Sequence, residues 1–192
     1  MSNGATSGSS PARSVRGALL AQQVLECKTL LGRYLAGFSQ VTVVRQTPDL
    51  PNHLAWCLGH LALTMHRLAE KVDGQAPPAT DFVQVEGSDG TRGSREKGCF
   101  DAAGVAFGSR PIERHDYFPD LERSTAIYNA ACDRLSALLA SLDDAALDRP
   151  VAWGQAQYPL WAVATRMIFH NGFHTGQIAD LRRALGFRSI MS

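Results

Sequence analysis

Long apolar runs are missing from this 192-residue chain. No stretch approaches the ~18 apolar residues that a membrane span needs, so a membrane partner is not expected. Charge of one sign is missing too. Nineteen Lys and Arg against eighteen Asp and Glu leave a net charge of +1, and only 19% of residues are charged. No basic run with interleaved aromatics occurs, so a nucleic-acid partner is not expected either. There is no Cys-x-x-Cys, and Cys27, Cys57, Cys99 and Cys132 are widely spaced. Three of them fall on apolar faces of expected helices. They read as small buried hydrophobes in a reducing, cytoplasmic setting, not as a disulfide frame or thiolate metal site. No basic segment leads into a long apolar core at the start, which argues against a signal peptide. Residues 1–12, rich in Ser and Gly, read as a disordered leader. Residues 13–188 read as one domain, long enough to bury its own core.

What is present is helical periodicity. Leu20, Val24, Cys27, Leu31, Tyr34 and Phe38 predict a first helix over 13–38, capped by Ser14. Leu50, Leu54, Cys57, Leu61, Met65, Leu68 and Val72 predict a second over 50–72, with Asp49 as its N-cap. Leu121, Thr125, Tyr128, Cys132, Leu135, Leu139 and Leu142 predict a third over 120–142. The fourth, over 158–186, follows Leu160, Ala164, Met167, Asn171, His174, Ile178, Leu181 and Leu185. Residues 73–117 lose the period and are rich in Gly and Pro. A link this long reads as a functional loop or crossover, anchored at Phe100 and at Phe107-Gly108-Ser109-Arg110-Pro111. Residues 143–157 read as a polar connector, and Val41-Thr42-Val43-Val44 is too isolated to build a sheet. Four long amphipathic helices with no credible set of strands predict an all-α four-helix bundle. The crossover lets the second and third helices run the same way, giving an up-down-down-up order with the second and fourth antiparallel.

The apolar seam of the fourth helix is interrupted by Asn171 and His174, with His170 beside them. Two histidines four apart project to one side of a helix and form half of a transition-metal site. Polar groups buried on such a seam cost a few kcal/mol unless something pairs with them. A metal would satisfy both rings, and so would a carboxylate or carbonyl; a third ligand decides. The second helix offers three histidines. His60, at mid-helix and one turn beyond Trp56, fits best. His53, near the helix start, is a distant second. His66 lies roughly 240° round from His60 at ~100° per residue and reads as a surface residue. Gly172 and Gly176, on another face of the fourth helix, cost up to ~1 kcal/mol each in helix propensity. Close approach by a neighbouring helix or a second subunit would explain them.

Three pieces together resemble the DinB/YfiT-like superfamily: Trp56-Cys57-Leu58-Gly59-His60-Leu61, the Phe107–Pro111 run, and His170-Asn171-Gly172-Phe173-His174-Thr175-Gly176-Gln177-Ile178. The resemblance covers nearly the whole chain after the leader. It implies an up-down-down-up four-helix bundle, often a homodimer, that holds a divalent transition metal, nickel or zinc, on three histidines. Position by position, these ligands would be His60, His170 and His174. One departure matters. Many relatives carry a carboxylate after the first histidine of the pair, where this chain has Asn171. The glutamate base of a His-Glu-x-x-His metallopeptidase is therefore absent, which excludes that class.

Three neutral imidazoles leave a divalent ion its charge and an open fourth position, the arrangement of catalytic sites. Such an ion lowers the pKa of a bound water or thiol. Characterised relatives include thiol-dependent S-transferases and a mycothiol-dependent isomerase. The resemblance thus implies a metal-dependent enzyme that activates a water or a low-molecular-weight thiol for transfer to a small-molecule substrate. Asn171, Gln177 and Trp56 are candidate contacts to the ligands or substrate, and Trp161 would join Trp56 in shaping the pocket. The alternative is a non-catalytic metal-binding or small-molecule-binding protein whose metal ties two helices together. A fourth protein ligand, with His115 and Asp116 as the residues to watch, would favour that alternative.

Overall fold

Helices make up most of the computed structural model, which describes residues 13–84 and 86–190. The expected leader, 1–12, lies outside the described residues. The long helices are α1 (Val15–Tyr34), α2 (Leu54–Asp73), α3 (Leu121–Ser141) and α5 (Leu160–Ala184), with a short α4 (Asp144–Asp148) between the last two. Both α1 and α2 pack against α3 and α5, so the four close into a ring. No helix of the described residues is long and apolar enough to cross a membrane.

Helix α2 is the innermost element. Leu54, Leu58, Leu61 and Leu68 are fully buried along it, and so are residues off that seam, such as Ala62 and Leu63. The crossover explains this, because it covers the side of α2 that the other helices leave open. Phe100 and Val105 close over Gly59 so tightly that a Cβ there would meet both side chains within 2.9 Å. His66, expected at the surface, is therefore buried at 1% exposure. Its Nδ1 accepts from the Arg134 guanidinium at 3.0 Å, and the Phe82 ring meets it edge-on at 5.9 Å. Helical phase placed His66 off the seam correctly; it could not reveal that a loop would cover the opposite face.

Two helix ends differ from the periodicity, each for a visible reason. Helix α1 stops at Tyr34, four residues early, because buried Arg182 donates Nη1 to the carbonyls of Tyr34 (3.1 Å) and Ala36. A cation on helix-end carbonyls is the favourable pairing there. Gly37, at φ +89, then turns the chain. Helix α2 starts at Leu54, and its cap is His53 instead of Asp49. His53 Nδ1 accepts from Trp56 N at 3.1 Å, so Nε2 carries the hydrogen and donates to Ile112 O at 3.2 Å. Both nitrogens are engaged, and His53 is not the third ligand.

The crossover and the last connector carry more order than their composition suggested. Two short strands, β1 (Phe82–Val83) and β2 (Phe100–Asp101), pair in parallel with Phe82 opposite Phe100. Buried Asp101 ties the loop by accepting from Arg92 N at 2.8 Å, Ala103 N at 2.9 Å and the Ser88 hydroxyl. Phe100 anchors the crossover as expected, but Phe107 does not; it stands 94% exposed. Ser109 anchors that end instead, accepting from Trp56 Nε1 at 2.9 Å. In the connector, β3 (Pro150–Trp153) and β4 (Ala156–Pro159) form an antiparallel hairpin. Gly154, at φ +62, leads its two-residue loop, as a II′ turn requires. The four-residue strands were too short and too polar to announce themselves.

Helices α1 and α3 meet at Gly17. Ser14 N donates to Leu142 O at 2.9 Å, and a Cβ on Gly17 would lie 2.5 Å from the Leu139 carbonyl oxygen. A backbone oxygen cannot swing aside, so Gly17→Ala must push the two helices apart. The substitution gains ~1 kcal/mol in helix propensity yet is expected to lower stability by about 1–3 kcal/mol through overpacking. Urea denaturation measures this; an unchanged or raised midpoint would refute the close contact.

Candidate metal centre

Helices α2 and α5 bring three imidazoles to one point. His60 Nε2 is 3.1 Å from His170 Nε2, which is 3.0 Å from His174 Nε2. These three are the group of metal-ligating side chains found among the described residues, with one ligand atom from each lying within 4.8 Å of the others. His60 and His174 are buried and His170 is half-buried.

The outer nitrogens set the tautomers. His60 Nδ1 sits 2.7 Å from the carbonyl oxygen of Val105, an atom that only accepts, so Nδ1 carries the hydrogen and Nε2 turns a lone pair inward. His174 does the same, donating from Nδ1 to Gln177 Oε1 at 2.9 Å. The same oxygen accepts from Asn52 Nδ2 at 2.9 Å, which holds the amide in place. Two lone pairs therefore face His170 Nε2. A neutral His170 has one hydrogen and can meet only one of them, while its own Nδ1 is buried without a partner. A cation among the three Nε2 atoms would accept all three lone pairs at once. The residues present fit a transition metal, and the donor set is that of an open three-histidine site.

Burial keeps the cluster neutral. Desolvation pushes His174 down to about 3 and His170 to about 4, with the neighbouring rings adding repulsion. His60 is lowered for the same first reason, helped by the Arg67 charge and opposed by its bond to Val105. Neutral imidazole is the form that binds metal.

The other expected site residues divide. Trp56 lies flat on His60, ring centroids 4.5 Å apart and planes at 13°. Gln177 holds His174, as described. Asn171 is engaged elsewhere: its Oδ1 accepts from the Tyr128 hydroxyl at 2.9 Å and its Nδ2 donates to Met167 O at 2.8 Å. It braces α5 against α3. Neither His115 nor Asp116 joins the histidines, and Asp116 accepts from Arg114 Nε at 2.8 Å. Beside the cluster opens a cavity of about 920 Å³, bordered by His60 and His170. Trp153 of the hairpin lines it where Trp161 was expected. Sequence reasoning missed Asn52, Val105 and Trp153; none belongs to a motif, because each acts through a backbone path that only the fold defines.

A mostly helical protein with a neutral three-histidine cluster at the edge of a cavity is thus defined by its geometry as one able to hold a metal ion. The model of the DinB superfamily matches residues 25–178, and the chain belongs to that superfamily. Among solved structures it is similar to a conserved protein from Enterococcus faecalis, at 13% identity and a TM-score of 0.66, covering 90% of this chain and 98% of that one. At that identity the likeness speaks for the fold alone. No curated protein matches the chain.

The cluster predicts how the metal-free protein responds to acid. Unfolded histidines take up protons near pH 6.5, whereas His170 and His174 resist until about 4 and 3, and His53 and His66, buried elsewhere, until about 4. Across that window the unfolded chain holds more protons, so stability falls as pH drops from about 6.5 toward 4. Thermal midpoints of chelator-treated protein between pH 8 and 4.5 should decline below neutrality; a flat profile would show that the rings protonate freely in the fold.

Proposed function

We propose that this protein is a divalent-metal-dependent enzyme whose three-histidine site, His60, His170 and His174, activates a water or low-molecular-weight thiol for reaction with a small molecule. The observation that carries the reading is the convergence of three neutral Nε2 atoms beside a cavity, with no fourth protein ligand among the described residues. A closed site tying two helices together would be expected to engage a fourth side chain, which speaks against a purely structural metal. Nickel or zinc suits an all-imidazole set.

A bound divalent ion supplies Lewis acidity that makes a thiol or water more acidic at neutral pH. The chain does the rest. Val105 and Gln177 keep the hydrogens of His60 and His174 on the outer nitrogens, so the inner lone pairs stay available. The flat contact of Trp56 shields one face of His60 from water and fixes the plane of its ring. No carboxylate belongs to the cluster, so proton removal from an incoming thiol would fall to solvent or to the substrate. Thiol S-transfer, which needs only a thiolate held near an electrophile, suits such a site.

The finer architecture belongs to the same reading. Contacts of Ser14 with Leu142, Arg182 with Tyr34, and Asn52 with Gln177 support an up-down-down-up bundle. A homodimer is proposed through the exposed face around Gly172 and Gly176, where a Cβ would meet nothing within 4 Å of this chain. Four free cysteines suit a cytoplasmic setting.

Protein purified without added metal should contain about one divalent ion per chain by elemental analysis, and His60→Ala and His174→Ala should lose it. Gln177→Ala, which frees the His174 ring, should weaken metal affinity by about 10–100-fold without unfolding the chain. Folded wild type that refuses nickel and zinc would end the enzyme reading and leave the histidines as core residues.

A further inference from the structure

The cavity beside the histidines carries groups that a metal does not need. On α2, Thr64, Arg67 and Lys71 follow His60 at steps of 4, 3 and 4, so one stripe runs from the cluster to the helix end. On α5, Arg166 lies one turn before His170 and lines the same cavity. The two helices pass each other in opposite senses here, as the Asn52–Gln177 and His60–His170 pairs show. Both stripes therefore lead to one end of the cavity, and the three cations gather there.

Arg67 and Lys71 make no ion pair or side-chain hydrogen bond among the described residues, and Glu70, the carboxylate on this wall, pairs with neither. The Arg166 guanidinium lies 3.8 Å over the Tyr158 ring, which positions it without neutralising it. Several arginines elsewhere do pair with carboxylates: Arg16 with Asp144 and Asp148, Arg123 with Asp81, Arg134 with Asp73. Three cations without a carboxylate partner among the described residues therefore line one wall of the cavity beside the histidines. The same cavity has an aromatic rim: Phe107 at 94% exposure, Phe169 at 75%, and half-buried Trp153.

We propose that this cavity binds a small organic anion with a flat apolar body, its charged end on Arg67, Lys71 and Arg166 and its body against Phe107, Trp153 and Phe169. The inference rests on the metal-site reading for what then reacts, but the binding itself needs no ion. Guanidinium groups pair with carboxylate, sulfonate or phosphate through two parallel hydrogen bonds, and aromatic side chains favour planar partners.

The test is calorimetric titration with 2-naphthoate and its uncharged analogue 2-naphthamide, on chelator-treated and zinc-loaded protein. Wild type should bind the anion at least about tenfold more tightly than the amide in both forms, a difference of ~1.4 kcal/mol. The double variant Arg67→Glu with Arg166→Glu should lose that preference at an unchanged thermal midpoint, since both side chains are exposed. Trp153→Ala should weaken both ligands alike. Equal affinities in wild type, no binding of either ligand, or a preference that survives the double variant would overturn the proposal. So would a preference confined to zinc-loaded protein, which would assign the anion to the ion. If the chain takes up no zinc while the chelator-treated form keeps its preference, the metal reading fails and the anion site stands.

Discussion

The rest of the structure depends on one constraint: the histidines of α2 and α5 lie where helices pack, and a buried imidazole must be neutral and must find partners for both nitrogens. His53 meets the requirement with a backbone amide and a carbonyl, and so becomes a helix cap. His66 meets half of it through Arg134, leaving Nε2 buried without a partner. His60 and His174 meet it only on their outer sides, and the outer Nδ1 of His170 is buried without a partner. Their inner nitrogens are pressed within about hydrogen-bond distance of one another, at 3.0 and 3.1 Å, with too few hydrogens to share. Only in these three, among the described histidines, do the unmet nitrogens converge on one point.

That need is held open by rigid parts. The Val105 carbonyl comes from a crossover that Asp101 ties together and Phe100 seats on α2, and Gly59 lets it approach closely enough to reach His60. Gln177 is steadied by Asn52, which precedes α2. One of the partners that set the tautomers thus comes from the crossover, and the other, one turn along α5, is held by a residue that precedes α2. Loosening either would let a ring turn and put a hydrogen where a lone pair is required. The crossover acts here as a wall of the site.

Much of this was legible in the residues. The helical period located the long helices, and the interruption of an apolar seam by His174 and Asn171 marked the site before any geometry was known. Cys57 and Cys132 are buried as small hydrophobes, as their phase implied. What stayed hidden has a common cause. Periodicity assigns one face of a helix to the core, but α2 is covered on nearly all sides, so His66 was misjudged. Asn171 looked like a site residue because it stands between the histidines. In the fold a rotation of about 100° per residue carries it to Tyr128 instead. Val105, Trp153 and Asn52 reach the site from loops or a hairpin, where no repeat records which way a group will face.

A neutral Asn171 between the two histidines of α5 has a consequence for charge. With a carboxylate there, part of a bound ion's charge could be balanced inside the protein. With Asn171 bonded to Tyr128, the cluster brings only neutral rings, and a divalent ion would keep its full charge in a partly desolvated setting. The surrounding wall adds Arg67, Lys71 and Arg166 against the single Glu70. Two positive fields then overlap in one cavity, and a low-dielectric wall strengthens both. The neutralising charge must arrive from outside. An anionic nucleophile or an anionic substrate would supply it, which ties the proposed anion site to the proposed metal site.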